Sequence, residues 1–474
     1  MGVGKTKPII DSIAWLYLRQ RITGALILAP KAVAPNWARD ELPKHMPDAV
    51  AGKTRVLLWH TERYRTRKYQ RELEMALAHP GLLIVCMSYD GIMVGTPGKV
   101  WRLKGEKARQ GYHVAKELLT SRRCMMVLDE STHISKPSSK RSIRVLSASR
   151  YAAYRRALSG TPVDDKPFDI FAQIKFLRPP KWWKSYKAFQ SNFGEFEMRL
   201  RRPRACRHDD PATCTCKRYP ALLYYKNLDE LHEAVDRTGS RLLKSEVLDL
   251  PPKIYQKRYF ELTGEQRRVY DELRRKLIVW LEGGDMITAP LVITQLLRLQ
   301  QITSGYCPTD DGGTLLFPGH LRIPLLLETL AEADDQVIIW TRFRQDVEQI
   351  MAALADTGIS AVRYDGQTSH QDREAARSKF QGGEVRAFVA NPKCAGEGLT
   401  LHAASRVLYY TTDYRLSKRL QSEDRAHRAG MPDRPVIYID LVALDTVDEK
   451  VLDALRAKKD LADEIMGDPR SEWI

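Results

Sequence analysis

Short apolar runs that stop abruptly at polar or turn residues recur along this chain, and they set what it can fold into. In the first half ALILAP (Ala25–Pro30), LLIVCMSY (Leu82–Tyr89), MMVLDE (Met125–Glu130) and RRALSGTP (Arg155–Pro162) have this form. In the second half QVIIWT, SAVRYDG, VRAFVAN, RVLYYTTD and PVIYIDL repeat it. Stretches with helical apolar spacing lie between them. Strands without polar alternation must be covered on both faces, and a strand–helix–strand rhythm of this kind builds parallel sheet. The sequence predicts an α/β architecture of two parallel-sheet units with similar layout.

The middle breaks the rhythm. PPKWWKSYKAFQSNFGEFEMRLRRPRACRHDD is aromatic, basic and irregular, TGEQRRVYDELRRKLIVWLEGG and ITQLLRLQQI read as helices, and PTDDGGT (Pro308–Thr314) is a turn-rich stop. The expected division is a first unit over residues 1–262, with the basic aromatic insertion at about 180–220, a helical linker over 263–316 and a second unit over 317–474. No apolar run approaches the ~18 residues a membrane span needs. The N-terminus lacks a secretory signal's pattern, and seven cysteines in 474 residues suggest no disulfide framework, so a reducing cytoplasm is the expected setting. The formal charge of +17 favours a polyanionic partner, for which nucleic acid is the usual choice.

Four segments carry chemistry. MGVGKT ends in Gly4, Lys5 and Thr6, the residue types with which a phosphate loop lets backbone N–H groups approach phosphate oxygens, places a lysine on the outer phosphates and gives a hydroxyl to Mg²⁺. KPIIDSIAWLYL has the spacing of the helix that should follow. VLDEST puts Asp129 and Glu130 directly after an apolar strand, at the end where ligands of open α/β sheets bind; Asp129 is suited to Mg²⁺ and Glu130 to polarising an attacking water. SGTP (Ser159–Pro162) offers hydroxyls for coupling the acidic pair to nucleic acid or to the other unit. QSEDRAHRAGM (Gln421–Met431) places Arg425 and Arg428 three apart, where one helix face can carry both. The full phosphate-loop pattern G-x-x-x-x-G-K-[ST] calls for a glycine upstream of Met1, so the chain is expected to begin inside its own loop and, made as written, to bind ATP poorly.

Taken in order, GVGKTK, ALILAPKAVAPNWARDELPKH, VLDEST, LSGTPV, VIIWTRF, YDGQTS, AGEGLTL and QSEDRAHRAGM resemble the motif series of helicase superfamily two, in particular its Swi/Snf-related branch and that branch's compact phage-type members. KSEVLDLPPKIYQKRYFELTGEQRRVYDEL resembles the branch's stretch leaving the first lobe. The resemblance implies two RecA-like lobes with ATP and Mg²⁺ in the cleft between them. It assigns Gly2, Gly4, Lys5 and Thr6 to the phosphates and metal, Asp129 and Glu130 to metal and water, Gly398 to close backbone approach, and Gln421, Arg425 and Arg428 to the nucleotide, with Arg428 as the arginine finger. DEST stands for the commoner DEAH and keeps both acids, Tyr414 stands where many relatives carry tryptophan, and the upstream adenine-reading segment is absent. The implied activity is a DNA-dependent ATPase, a monomer moving along duplex DNA without sequence preference. The alternative is a nucleic-acid-binding relic of such an ATPase.

Lys31, Ser88, Tyr89, Arg342 and the Thr400 region are candidate DNA contacts. Cys206, His208, Cys214 and Cys216 form C-x-H-x5-C-x-C, four ligand types that can close a tetrahedral zinc site. Trp182, Trp183 and Phe189 are candidates either for stacking on bases or for core packing.

Overall fold

The computed structural model describes residues 4–95, 101–103, 106–177, 183, 185–200, 218–282, 289–309, 311–392, 394, 399–468 and 473. The chain forms two compact units, Met1–Phe193 with Asp229–Val247, and Gly194–Leu228 with Leu248–Ile474.

The first unit is built on strands β1 (Gly24–Ala29), β2 (Thr54–Leu58), β3 (Leu82–Ser88), β4 (Cys124–Leu128) and β5 (Tyr154–Ala157), all paired in parallel in the order β2-β3-β1-β4-β5. β1, β3 and β4 are buried along their whole length. Successive side chains feed two separate cores. Ala25, Ile27, Ile84 and Val127 meet Ile9, Ile10 and Ile13 of the first helix, Thr6–Leu18, on one face. Leu26, Leu28, Val85 and Met126 meet Tyr112, Val114 and Leu118 of helix Gly111–Ser121 on the other. The two sheet faces explain why the runs carry no polar alternation. Gly24 permits the close approach of β1 and β4, since a Cβ there would lie 2.7 Å from Cys124 Sγ.

The second unit contains β6 (Lys253–Phe260), β7 (Val337–Trp340), β8 (Ala361–Tyr364), β9 (Ala387–Ala390), β10 (Arg406–Tyr409) and β11 (Val436–Ala443), again parallel throughout, in the order β6-β11-β10-β7-β9-β8. Ile338, Phe388, Val407 and Tyr438 line one face, and Ile339, Val389, Leu408 and Ile439 the other. The α/β class with parallel sheets is as the apolar runs predict.

The division of the chain differs from the expected one. β6 lies before residue 262 yet pairs along its whole length with β11 of the second sheet. The expected helical stretch forms helices Gly264–Glu282 and Ala289–Thr303, and these pack: Tyr270, Leu277, Leu299 and Ile302 share a core with Phe260, Val442 and Val451. No helix among the described residues is long and apolar enough to cross a membrane.

Where β7 and β10 end, Thr341 and Thr411 both donate to Asp346 Oδ2, at 2.5 and 2.8 Å. Asp346 is fully buried, and that burial pushes its carboxyl up to about 6 against the pull of the two hydroxyls. A carboxyl raised above its unfolded value of about 3.9 favours folding most below that value, and the contribution is lost as pH rises through about 6. Asp346→Asn should therefore raise stability at pH 8 by about 1–3 kcal/mol, with the gain shrinking to nothing near pH 4. Urea titrations at the two pH values check this; a gain confined to the acidic one would contradict it.

Candidate functional site

In the first unit three strand ends and one helix start supply the site. Gly4 has φ +77°, a left-handed conformation that favours glycine, and Lys5 follows as the N-cap of helix Thr6–Leu18. No side chain caps that helix and no acidic residue lies in its first turn. Its first-turn N–H groups and the positive end of the helix dipole therefore suit an anion. Lys5 Nζ lies 3.3 Å from Glu130 Oε1 across a separation of 125 residues.

The acidic turn is fixed from several sides. Asp129 N–H donates to Leu28 O at 2.7 Å, and Ser131 N–H to Leu158 O at 2.8 Å. Trp37 Nε1 donates to Asp129 Oδ2 at 2.8 Å, while Glu130 N–H donates to Asp129 Oδ1 at 3.0 Å. Tyr89 Oη donates to the Asp129 carbonyl at 2.9 Å, and its ring stacks on His133 at 4.9 Å. This framework holds Glu130 at φ 49°, ψ 61°. Such a backbone costs a non-glycine residue about 1–3 kcal/mol and persists only where neighbours impose it. One Glu130 oxygen meets Lys5, and the other is buried without a hydrogen-bond partner among the described residues. A buried oxygen left unsatisfied beside a lysine and an uncapped helix start fits a site whose occupant is a phosphate with its divalent cation. Lys5 and Thr6 would hold the phosphates, and Thr6 and Asp129 the Mg²⁺.

The acidic turn is tied to SGTP, though not by that segment's hydroxyls. Ser131 Oγ donates to Gln173 Oε1 at 2.6 Å, and Gln173 Nε2 donates to the Pro162 carbonyl at 2.7 Å. Ser159 Oγ instead accepts from Thr161 N–H within its own turn.

In the second unit, helix Leu416–Ala426 carries most of the QSEDRAHR block. Its inward face is charged. Arg419 is fully buried, with Nη1 and Nη2 at 2.5 and 2.7 Å from the two Asp440 oxygens, Nε at 2.9 Å from Glu423 Oε1, and its guanidinium 3.5 Å from the Tyr409 ring centre. Glu423 also accepts from Lys253 at 3.0 Å, Tyr255 at 2.9 Å and Trp473 at 3.1 Å. Burial alone would push Glu423 up; Lys253 and Arg419 together hold its carboxyl below the usual range. Gln421 and Arg425 are buried, and Arg425 Nη1 donates to the Leu399 carbonyl at 3.1 Å. Arg428 is half-exposed and donates to Thr400 Oγ1 at 3.0 Å. The two arginines do not share a helix face. His427, at φ −85°, ψ 86°, ends the helix, and its Nε2 lies 2.8 Å from Pro251 O. They are brought together instead by their common grip on residues 399–400.

Of the DNA candidates, Lys31 is exposed, with a 3.9 Å contact to Glu62. Ser88 and Tyr89 are buried and support the acidic turn and its neighbourhood rather than a surface: Ser88 Oγ accepts from Gly91 N–H. Arg342 donates to Gln300 Oε1 at 2.6 Å, burial lowers its pKa, and with Arg298 and Phe343 it lines a cavity of about 430 Å³. Tyr414 packs in the core of the second unit. Trp183 and Phe189 are buried in an aromatic cluster with Phe193, so they are packing residues. Gly2, Gly398, Trp182, Cys206, His208, Cys214 and Cys216 lie outside the described residues. Trp37 and Gln173 are the supports that reading the motifs one by one missed. Trp37 stands in the quoted APNWARDE run, but its partner is 92 positions away.

Two family models match the chain: the SNF2-related domain over residues 1–305 and the helicase conserved C-terminal domain over residues 322–430. Protein CHROMATIN REMODELING 24 of Arabidopsis thaliana is 25% identical over 95% of this chain and 42% of its own length. The putative ATP-dependent helicase/translocase YwqA of Bacillus subtilis is 24% identical over 100% of this chain and 46% of its own length. Among solved structures, the Sulfolobus solfataricus SWI2/SNF2 ATPase core in complex with dsDNA matches with a TM-score of 0.37 and 23% identity, covering 98% of this chain and 87% of that one. The chain thus spans less than half the length of these two curated relatives.

Trp37→Phe keeps an aromatic ring in the buried place and removes the indole donor to Asp129 Oδ2. A hydrogen bond to a charged group contributes about 1.5–3 kcal/mol, so unfolding free energy should fall by that amount. In a double-mutant cycle Asp129→Asn should add much less on top of Trp37→Phe than it does alone. Additive losses would show that the indole and the carboxylate do not act on each other.

Proposed function

Because this chain belongs to the SNF2-related domain family, we propose that it is an ATPase that couples hydrolysis to movement along duplex DNA. The observation that carries this reading is the pairing of Lys5 with Glu130 at an uncapped helix start, next to an Asp129 whose two oxygens are held by Trp37 and a backbone N–H. The name of the Bacillus relative, a putative ATP-dependent helicase/translocase, agrees with it.

In this reading Lys5 exchanges Glu130 for the outer phosphates when ATP arrives. Thr6 and Asp129 would hold Mg²⁺, which when bound would supply charge neutralisation of the phosphate oxygens. Glu130, released from Lys5, orients and polarises the attacking water. Gly4, together with Gly2, lets backbone N–H groups reach the phosphates. Gln421, Arg425, Arg428 and Gly398 of the second unit are the further residues this reading assigns to the nucleotide, with Arg428 as the finger. Arg428 suits that task better than Arg425, because it is half-exposed and bonds a hydroxyl, whereas Arg425 is buried against a backbone carbonyl. The charge of +17 and the solvent-facing Lys31 suit a phosphate backbone, as do Arg298 and Arg342 beside their cavity.

Two measurements check this. Glu130→Gln should keep nucleotide binding and lose about 10²–10⁴-fold in turnover, since an amide cannot polarise water as a carboxylate does. Arg428→Ala should lose about 10³-fold or more if it is the finger. Near-normal turnover in either variant removes the role given to that residue. Binding to duplex DNA should weaken steeply as salt rises and should vary little with sequence; a flat salt response would speak for a different partner.

A further inference from the structure

Helix Phe171–Leu177 packs into the first unit through Ala172, Ile174 and Phe176, all buried. Gln173 lies among them and is 4% exposed. Packing alone would be served by an apolar side chain there, because a buried amide costs free energy unless its groups are paired. Here both amide hydrogens are used. Nε2 donates to the carbonyls of Pro162 at 2.7 Å and Asp169 at 3.2 Å, and Oε1 accepts from Ser131 Oγ at 2.6 Å. Carbonyls accept and never donate, so the amide nitrogen must face them. The amide oxygen then faces Ser131, whose hydroxyl must be the donor.

The two ends of this bridge differ. At one end Ser131 directly follows Glu130, and its N–H donates to the Leu158 carbonyl at 2.8 Å. Ser131 is thus held by backbone and side chain together. Glu130 sits at φ 49°, ψ 61°, a conformation its neighbours impose. Any displacement of Ser131 turns the peptide it shares with Glu130 and shifts the carboxylate that lies 3.3 Å from Lys5. At the other end Pro162 closes the half-buried SGTP turn. Leu158, just before that turn, is fixed to the sheet by its N–H on the Leu128 carbonyl at 2.8 Å. Within the turn Ser159 Oγ accepts from Thr161 N–H at 3.1 Å. The turn is therefore held to the sheet at its start and to Gln173 at its end, with its middle open to a ligand.

We propose that Gln173 is a positioning residue that carries displacement of the SGTP turn to Glu130, so that duplex DNA bearing on the turn changes how well the carboxylate is aligned. The inference rests on the ATPase reading above and names the side chain through which DNA regulates it. Its test is a stimulation ratio: turnover at saturating ATP with duplex DNA, divided by turnover without it. A partly unfolded sample loses both rates in the same proportion and keeps its ratio. Gln173→Met keeps an unbranched side chain of similar size and removes both amide functions. Ser131→Ala cuts the same bridge at its other end with little change in volume. Each should lower the ratio at least about fivefold while KM for ATP stays within about twofold, as expected of an interaction that acts on the reacting state and not on binding. Because both changes cut one bridge, the double variant should lose no more than the larger single loss, whereas independent losses multiply. An unchanged ratio in either variant, or losses that multiply, overturns the proposal. The wild-type ratio reads the underlying assignment separately. A protein that duplex DNA does not stimulate removes the DNA-dependent reading and the link with it; a stimulated wild type with unchanged variants removes the link alone.

Discussion

In both units the central strands are covered on both faces, and that burial decides where chemistry can sit. β1, β3 and β4 present apolar side chains to two cores in strict alternation, so a polar group anywhere along them would be buried without a partner. Polar side chains gather where the strands end. Lys31 follows β1, Ser88 and Tyr89 close β3, and Asp129 and Glu130 follow β4. The second unit repeats the arrangement, with Thr341 and Arg342 after β7 and Thr411 after β10. Where such a group is buried, it needs a hydrogen-bond partner close by. Asp129, Tyr89 and Trp37 satisfy one another in the first unit, and Asp346, Thr341 and Thr411 in the second.

The second unit adds a constraint that apolar packing does not supply. Arg419 is wholly buried, and burying a charge is favourable only when its partners are complete. Asp440, Glu423 and the Tyr409 ring provide them, and Lys253 balances the second carboxylate. The stabilisation such a network gives over a well-packed apolar core is small, while loss of one partner costs about 3–5 kcal/mol. What the network does supply is orientation. It admits one rotation of helix Leu416–Ala426, and that rotation sets Arg425 against the Leu399 carbonyl. Because Lys253 belongs to β6, the same network also helps to hold that strand in the second sheet.

The central strands were legible because each is an uninterrupted apolar run. β2 and β6 carry no such run: TRVLL and KIYQKRYF mix polar with apolar residues on half-covered strands. Missing β6 also moved the expected boundary between the units to residue 262, when the strand before it already belongs to the second sheet. Residue types at the site were readable from motif chemistry, and contacts between distant positions were not. A tryptophan donating to an aspartate 92 residues on, or a glutamine tying Ser131 to Pro162, leaves no local pattern. Spacing suggested one helix face for Arg425 and Arg428, but spacing cannot show that His427 leaves the helix between them.

The ion pair between Lys5 and Glu130 gives the acidic turn its meaning. A left-handed glutamate is not a comfortable residue, and the strain at Glu130 is compensated by hydrogen bonds on either side of it rather than by any made by its own carboxylate. Its carboxylate, with 11% of the side chain exposed, has one oxygen on Lys5 and the other without a hydrogen-bond partner among the described residues. In this state Lys5 competes with any other partner for the oxygen it holds. A phosphate that takes Lys5 away removes that competition and leaves the carboxylate in place, since the turn is held by Trp37, Tyr89 and the sheet and not by the lysine. In the proposed reading the contact between Lys5 and Glu130 would keep the carboxylate engaged until a phosphate takes the lysine, with the turn already held by Trp37 and Tyr89.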